Sequence, residues 1–114
     1  MHATLADLPD GEAFDLVVIG AGGAGLSAAA VAGIDRSRVL VVESTAHVGG
    51  TTAWSAGTTW IPLTHHAAQV NRDDTPEAAR TFLDAAVGER ADPALRAAFL
   101  RHGAEAVAVV ERHT

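Results

Sequence analysis

Residues 14–43 constrain the fold of this chain more than any other segment. An apolar run at 14–19 leads into glycine-rich residues 20–25, small residues continue to Gly33, and a second apolar run ends at Glu43. Both apolar runs are continuous rather than alternating, which is typical of parallel strands covered on both faces. The segment therefore predicts strands at 14–19 and 38–43 joined by a right-handed crossover through a helix at 23–32, with Gly33 as its C-cap.

The glycine spacing predicts a site for an adenine dinucleotide. Gly20 permits a tight turn, Gly22 lets the backbone approach a pyrophosphate, and Gly25 lets the helix lie close to the strand. The helix N-terminus offers unpaired N–H groups to the phosphates. Glu43 follows Gly20 by 23 positions, where an acid binds the adenosine ribose and disfavours a 2′-phosphate. A glycine-rich turn without a ligand is the alternative interpretation.

Composition excludes several classes of function. With 114 residues, the chain has the length of one small domain. A net charge of −6 and the absence of a basic cluster argue against nucleic acid as a partner. Cysteine is absent, so disulfides and thiolate metal sites are excluded, and we expect a cytoplasmic protein. Residues 16–34 are uncharged, but five glycines lie among them, so we predict no membrane span.

The rest of the chain divides by composition. Residues 1–13 are predicted to form a flexible tail and residues 44–72 a long loop. Thr75-Pro76 and Asp92-Pro93 are helix start signals, and they predict helices within 75–113 with a break near Gly103. The predicted apolar faces of these helices are Ala79, Phe82, Leu83, Ala86 and Val87 in the first, and Leu95, Ala98, Phe99, Ala106 and Val110 in the second.

A second motif follows Glu43. Residues 49–55 read G-G-T-T-A-W-S, and residues 60–62 read W-I-P. Together with the acid upstream, these motifs make the sequence from Asp15 onward resemble the FAD-binding flavoproteins of the fumarate reductase and 3-ketosteroid dehydrogenase group. The T-T-A-W-S and W-I-P motifs are more similar to the ketosteroid dehydrogenase branch. The resemblance implies an α/β fold, in which a partial Rossmann-like FAD-binding βαβ unit is followed by two or three helices. Residues 14–114 would then be an incomplete FAD-binding domain.

The resemblance also implies which residues contact FAD. The pyrophosphate would lie against the first glycine-rich turn, the ribose beside the acid, and the ribityl chain and isoalloxazine ring along the second motif. Ala56-Gly57-Thr58 stands where the family usually has a glycine pair. The implied cofactor-binding residues are Gly20, Gly22, Gly23, Ala24, Gly25, Glu43, Ser44, Gly49, Gly50, Thr51, Thr52, Ser55, Ala56, Gly57 and Thr58.

The function implied by the resemblance is that of an FAD-anchoring N-terminal part of a flavin-dependent oxidoreductase. Such an enzyme acts on CH–CH bonds of a small apolar ketone or alkene. The alternatives are a fumarate reductase-like flavoprotein, an NAD-dependent dehydrogenase or an inactive truncated fragment. No catalytic residue is assigned, because the chain contains no tyrosine, on which ketosteroid dehydrogenase-like chemistry depends. Two parallel strands leave unpaired edges, so self-association through them is expected.

His65 and His66 invite a metal-site interpretation. Adjacent side chains usually diverge, and no third ligand lies nearby in the sequence, so we predict a solvated loop without a metal. Trp54 and Trp60 fit either stacking near the flavin or anchoring an apolar cluster, and the sequence leaves both open.

Overall fold

The computed structural model describes residues 4–70 and 73–114. It divides into two compact units, Met1–Thr58 and Thr59–Thr114. Residues 1–3 of the predicted tail and residues 71–72 of the predicted loop lie outside the described residues. Each unit is described by itself below.

The first unit contains the predicted strand–helix–strand arrangement. Strand β1 (Leu16–Ile19) and strand β2 (Val39–Val42) form a two-stranded parallel sheet, connected by helix α1 (Gly23–Ile34). Leu16 pairs with Val39 and Ile19 with Val42. The α/β prediction is confirmed, with shorter strands than expected. A single turn of 3-10 helix, Leu5–Asp7, precedes the sheet.

The end of α1 was predicted two residues too early. Gly33 lies inside the helix, which continues to Ile34 and is capped by Asp35. Arg36 then adopts the left-handed conformation at φ 63°. Its N–H donates to the Gly33 carbonyl at 2.9 Å, and the Ser37 N–H donates to that of Ala32 at 3.0 Å. This is a Schellman motif built on an arginine instead of the expected glycine.

The sheet is covered on one face of β1 within the described residues. Val18 is buried, and α1 contacts both strands. Val17 is 53% exposed and Ile19 is 86% exposed. The continuous apolar pattern predicted that both faces of the sheet would be covered. In the part of the chain that the structure describes, the second face of β1 is uncovered, and the side chains of Val17 and Ile19 are exposed to solvent.

The second unit is helical. It contains α2 (Ala67–Val70), α3 (Pro76–Val87) and α4 (Pro93–His113), with a 3-10 turn at Gly88–Arg90 between the last two. Both predicted start signals act as caps. The Thr75 hydroxyl accepts from the Ala78 N–H at 3.1 Å, and the Asp92 carboxylate accepts from the Ala94 N–H at 2.7 Å. No helix within residues 4–70 and 73–114 has the length and apolar character needed to span a bilayer.

Trp60 anchors an aromatic cluster in the helical unit. Its ring centroid lies 5.0 Å from that of Phe82 and 6.1 Å from that of Phe99. These separations fall within the range of favourable aromatic pairs. Of the two interpretations that the sequence left open, the structure therefore favours the apolar anchor for this tryptophan.

The predicted break near Gly103 is wrong, because α4 runs without interruption to His113. Gly103 has a packing role instead, since an added Cβ would lie 2.9 Å from the Cγ2 of Ile61. The predicted apolar face of α4 is also largely wrong, because Leu95, Ala98, Ala106 and Val110 are exposed. Leu95 is 68% exposed, whereas the neighbouring Arg96 is half-buried.

Two helical glycines give a matched test of this packing. We expect Gly33→Ala to raise the free energy of unfolding by about 0.5–1 kcal/mol, because no atom lies within 4 Å of its added Cβ. Gly103→Ala should lower the free energy of unfolding, because the contact with Ile61 outweighs the gain in helix propensity.

Urea unfolding followed by circular dichroism measures both changes. In the Gly103→Ala background, Ile61→Ala should recover part of the loss, since it removes the methyl group that the new Cβ meets. An equal gain in stability at both glycines would contradict a packing role for Gly103.

Candidate cofactor site

The turn between β1 and α1 brings the first glycine cluster to the carboxyl end of the sheet. Gly20 leaves β1 at φ 96°, a conformation that glycine adopts without strain. Its N–H donates to the Val42 carbonyl at 2.7 Å, so the turn stays attached to β2. Gly22 is the N-cap of α1, which begins at Gly23.

Gly22 and Gly25 differ in what surrounds them. A Cβ added to Gly25 would collide with the Gly20 carbonyl oxygen and lie 3.1 Å from the Cγ1 of Val18. This glycine is therefore required for the close approach of α1 to β1. At Gly22, no atom lies within 4 Å of an added Cβ. The backbone at this position borders open space.

That open space adjoins the N-terminus of α1. The first hydrogen bond of the helix runs from the Leu26 N–H to the Gly22 carbonyl at 2.9 Å. The N–H groups of the first turn, Gly23 to Gly25, consequently have no acceptor within the helix. Together with the helix dipole, they form a region of positive potential that favours a phosphate group.

Glu43 lies directly after β2 and reaches back to the glycine turn. Its Oε2 accepts from the Ala21 N–H at 2.8 Å. Its Oε1 accepts from the Thr45 N–H at 2.9 Å, and the Ser44 and Thr45 hydroxyls lie at 3.2 and 3.0 Å. The acid therefore links the turn after β1 with the turn after β2.

These hydrogen bonds stabilise the ionised form of the acid. The Ala21 N–H, followed by the Thr45 N–H and hydroxyl, lowers the pKa of the Glu43 carboxyl to about 2. Thr45 was missed by the sequence interpretation. Turns in which a side-chain oxygen accepts the N–H two residues onward are typical of Asp, Asn, Ser and Thr, so a glutamate at this position gave no sequence signal for the contact with Thr45.

The second glycine pair lies against the first cluster. Gly49 forms a bridge with Gly22, and its N–H donates to the Ala21 carbonyl at 2.6 Å. Gly49 and Gly50 have φ values of 110° and 54° and lead into a 3-10 helix, Gly50–Trp54. A Cβ on Gly50 would lie 3.1 Å from the Cα of Gly22. The two glycine motifs thus form one surface, 27 residues apart in sequence at the Gly22–Gly49 bridge.

The remaining predicted residues are divided between that surface and its surroundings. Thr52 belongs to it, since a Cβ on Gly23 would lie 2.8 Å from the Thr52 hydroxyl oxygen. Ser55 follows the 3-10 helix and donates to the Thr52 carbonyl at 2.8 Å, and the Gly57 N–H donates to Ser55 at 3.1 Å. Ala24, Thr51, Ala56 and Thr58 are exposed. Trp54, the other tryptophan left open by the sequence, is 90% exposed.

Comparison with known protein families identifies the family of the chain that forms this surface. A family model for the FAD binding domain matches residues 15–114. The chain belongs to this FAD binding domain family. FAD is thus confirmed as the cofactor of the family, as the resemblance implied, and an NAD-dependent dehydrogenase is disfavoured.

Several relatives share this FAD binding domain region. A 3-oxosteroid 1-dehydrogenase of Mycobacterium tuberculosis H37Rv is 45% identical over 101 residues, which is 89% of this chain and 18% of the relative. A 3-oxosteroid 1-dehydrogenase of Mycolicibacterium smegmatis is 36% identical over 91% of this chain and 18% of the relative. A 4-oxocyclohexanecarboxylate 2-dehydrogenase of Sinomonas cyclohexanicum is 39% identical over 79% of this chain and 16% of the relative.

The chain therefore spans about a sixth of the length of these relatives. No solved structure gave a significant match to it. The residues present nevertheless fit the ADP half of FAD: a glycine with open space where a Cβ would be, a helix N-terminus and an ionised acid lie at one end of the sheet.

Acid should weaken the link made by Glu43. Because the folded-state pKa lies below the ordinary value of 4.5, the acid stabilises the fold above about pH 4.5, and this contribution is lost as the pH falls toward about 2. We therefore expect wild type to be more stable than Glu43→Gln at pH 7, with the difference shrinking through that window.

Thermal unfolding followed by circular dichroism from pH 7 to pH 2 measures the difference. Asp35→Asn is a suitable control, because it removes another acid of the same unit at the C-cap of α1. A difference between wild type and Glu43→Gln that stays constant down to pH 2 would show that the carboxylate charge does not stabilise the turn.

Proposed function

We propose that this chain binds the ADP half of FAD and anchors the cofactor of a flavin-dependent dehydrogenase that acts on a CH–CH bond beside a ketone. The observation that carries the proposal is the open backbone of Gly22 at the N-terminus of α1, next to the ionised Glu43. Bound FAD would supply the redox chemistry by accepting a hydride from a substrate carbon.

The pyrophosphate contact is proposed for Gly20, Gly22, Gly23, Ala24 and Gly25. Unpaired N–H groups of the first helical turn would donate to phosphate oxygens, and hydrogen bonds to charged groups are stronger than neutral ones. Gly22 has an extended conformation at φ −80°, which any residue adopts. The backbone conformation at this position therefore does not require glycine. We infer that glycine is present because a side chain would fill the space that the pyrophosphate needs.

Ribose binding is proposed for Glu43. Its Oε1 already accepts from the Thr45 N–H and from the Ser44 and Thr45 hydroxyls. Its Oε2 accepts from the Ala21 N–H, so the second lone pair of Oε2 is the proposed acceptor for a ribose hydroxyl. The side chain is half-buried rather than enclosed, so a ribose hydroxyl has access to it. Its low pKa keeps it a charged acceptor at neutral pH.

The flavin half is proposed to run along the second motif. Gly49, Gly50, Thr51 and Thr52 would lie beside the pyrophosphate and ribityl chain, with Ser44 near the ribose. The proximity of Gly49 and Gly50 to Gly22 supports this path. Ser55, Ala56, Gly57 and Thr58 are proposed to lie near the isoalloxazine ring, where exposed small residues leave room for a flat ligand.

The substrate class is proposed from the relatives. Their names specify an oxosteroid and an oxocyclohexanecarboxylate, which both carry a ketone on a ring, and both name a dehydrogenase. A cyclic ketone is therefore the proposed substrate class. The ketosteroid branch is preferred over the fumarate reductase branch for the same reason. A cytoplasmic location remains a prediction.

Reconstitution of the 114-residue chain with FAD tests the proposal. We expect flavin absorbance to co-elute with the chain, ADP to compete with FAD, and FMN to compete poorly, because FMN lacks the adenosine and second phosphate that these residues contact. Equal competition by FMN, or a folded chain that binds no FAD, would contradict the proposal.

Matched variants locate the contacts in the same assay. Gly22→Ala should weaken FAD binding by at least about tenfold, the equivalent of one hydrogen bond to a charged group, while Gly33→Ala at the other end of α1 should leave it unchanged. Glu43→Gln should reduce the preference for ADP over its 2′-phosphorylated form, because the repelling charge is removed. Circular dichroism of each variant separates lost binding from lost folding.

We propose that the chain self-associates when no other protein segment covers its sheet. Val17 and Ile19 are exposed on β1, and a two-stranded sheet has unpaired backbone groups on both edges. We expect sedimentation velocity to show dimers or larger species whose fraction rises with concentration. Val17→Thr with Ile19→Thr should reduce that fraction, whereas a stable monomer at all concentrations would contradict the proposal.

A further inference from the structure

Two histidines and a glutamate meet at the end of the helical unit. His65 Nε2 lies 2.9 Å from Glu111 Oε2, and His66 Nε2 lies 2.6 Å from Glu111 Oε1. The two imidazole centroids are 3.9 Å apart. The expectation that these adjacent side chains diverge is therefore wrong, and Glu111, which is not nearby in the sequence, lies close to both of them. Glu111 lies 45 residues after His66, so the sequence around the histidines gave no sign of it.

The three groups present the atoms that bind transition metals. One ligand atom from each side chain can be chosen so that all lie within 4.8 Å of one another. Each side chain is between 43% and 54% exposed, so an ion can reach them from solvent.

We propose that His65, His66 and Glu111 form a binding site for a zinc ion. Imidazole nitrogen and carboxylate oxygen are ordinary zinc ligands at about 2.0–2.2 Å, and their tetrahedral arrangement places ligand atoms about 3.4 Å apart. The present separations of 2.9 and 2.6 Å join the two imidazoles to different oxygens of Glu111, so zinc binding would widen them by about 0.5 and 0.8 Å. Three protein ligands leave the fourth position for water.

The donor set also indicates which ions the site would not retain. Two of the three donors are imidazoles, whereas Mg²⁺ and Ca²⁺ prefer oxygen ligands. Copper and nickel also prefer imidazole ligands. The site would therefore select transition metals over Mg²⁺ and Ca²⁺ but would not distinguish zinc from copper or nickel. Mg²⁺ is therefore the appropriate negative control.

Metal binding would have a structural consequence within this unit. His65 and His66 immediately precede α2, and Glu111 lies in the last turn of α4. A shared ion would join these two segments across the 45 residues that separate His66 from Glu111. Because the ion binds the folded arrangement, it should stabilise that arrangement.

Zinc titration of the untagged chain at about pH 7.5, where free imidazole is mostly neutral, tests the site. Competition with a chromophoric chelator should give one zinc per chain. Glu111→Gln and His66→Ala should each weaken zinc binding by at least about tenfold. His102→Ala should leave it unchanged, although it removes another exposed histidine of α4, which lies 3.9 Å from Glu105.

Glu111→His separates a metal site from an ion pair. It supplies a third imidazole, so it should retain zinc binding while removing the carboxylate. Absorption of bound Co²⁺ should confirm tetrahedral coordination in wild type and in this variant, and EDTA should reverse a zinc-induced rise in melting temperature that Mg²⁺ does not produce. Equal zinc affinity in wild type, Glu111→Gln and His66→Ala, or loss of binding in a folded Glu111→His variant, would overturn the proposal.

Discussion

The close contact between Gly25 and the Gly20 carbonyl is the constraint on which the first unit depends. A side chain at Gly25 would collide with that oxygen, so only a glycine lets α1 begin immediately beside the end of β1. The position of the helix N-terminus follows from this contact. So does the position of the crossover, because α1 returns the chain to a β2 that is parallel and adjacent to β1. The candidate phosphate site is therefore a consequence of how the helix meets the strand.

Glu43, the proposed ribose-binding acid, has a structural role in this fold. The carboxylate accepts the Ala21 N–H from the turn after β1 and the Thr45 N–H from the turn after β2. Fixing both turns also fixes the acid, so a ribose hydroxyl would meet an acceptor whose position and charge are already set. Such preorganisation reduces the ordering cost of binding. The arrangement explains why the acid belongs at the first position after β2 and not further along the loop.

Local patterns were sufficient to predict the elements, whereas contacts distant in sequence were not. The apolar runs, glycine spacing and two threonine- or aspartate-proline signals predicted the strands, α1 and the starts of α3 and α4. Gly103 was misread because helix propensity treats glycine as a break, while its small size is needed beside Ile61. Glu111 was missed because its meeting with His65 and His66 depends on the packing of α4. The glycine turn after β1 was predictable because the glycine spacing itself carries its geometry, whereas the FAD contacts of these residues remain a proposal.

The second motif, residues 49–62, is continuous in sequence, but its two ends have different physical roles. Gly49 and Gly50 lie on the glycine surface of the first unit, where small residues allow backbones to approach each other and a ligand. Trp60 and Pro62, only ten to twelve residues beyond Gly50, belong to the second unit. There Trp60 contacts Phe82 and Phe99, and Pro62 is buried. The glycine part of the resemblance therefore bears on the proposed cofactor contacts, while the tryptophan–proline part concerns packing within the helical unit, where Trp60 is 50% exposed. A substitution at Trp60 should then lower the stability of that unit, because it removes the ring that packs against Phe82 and Phe99.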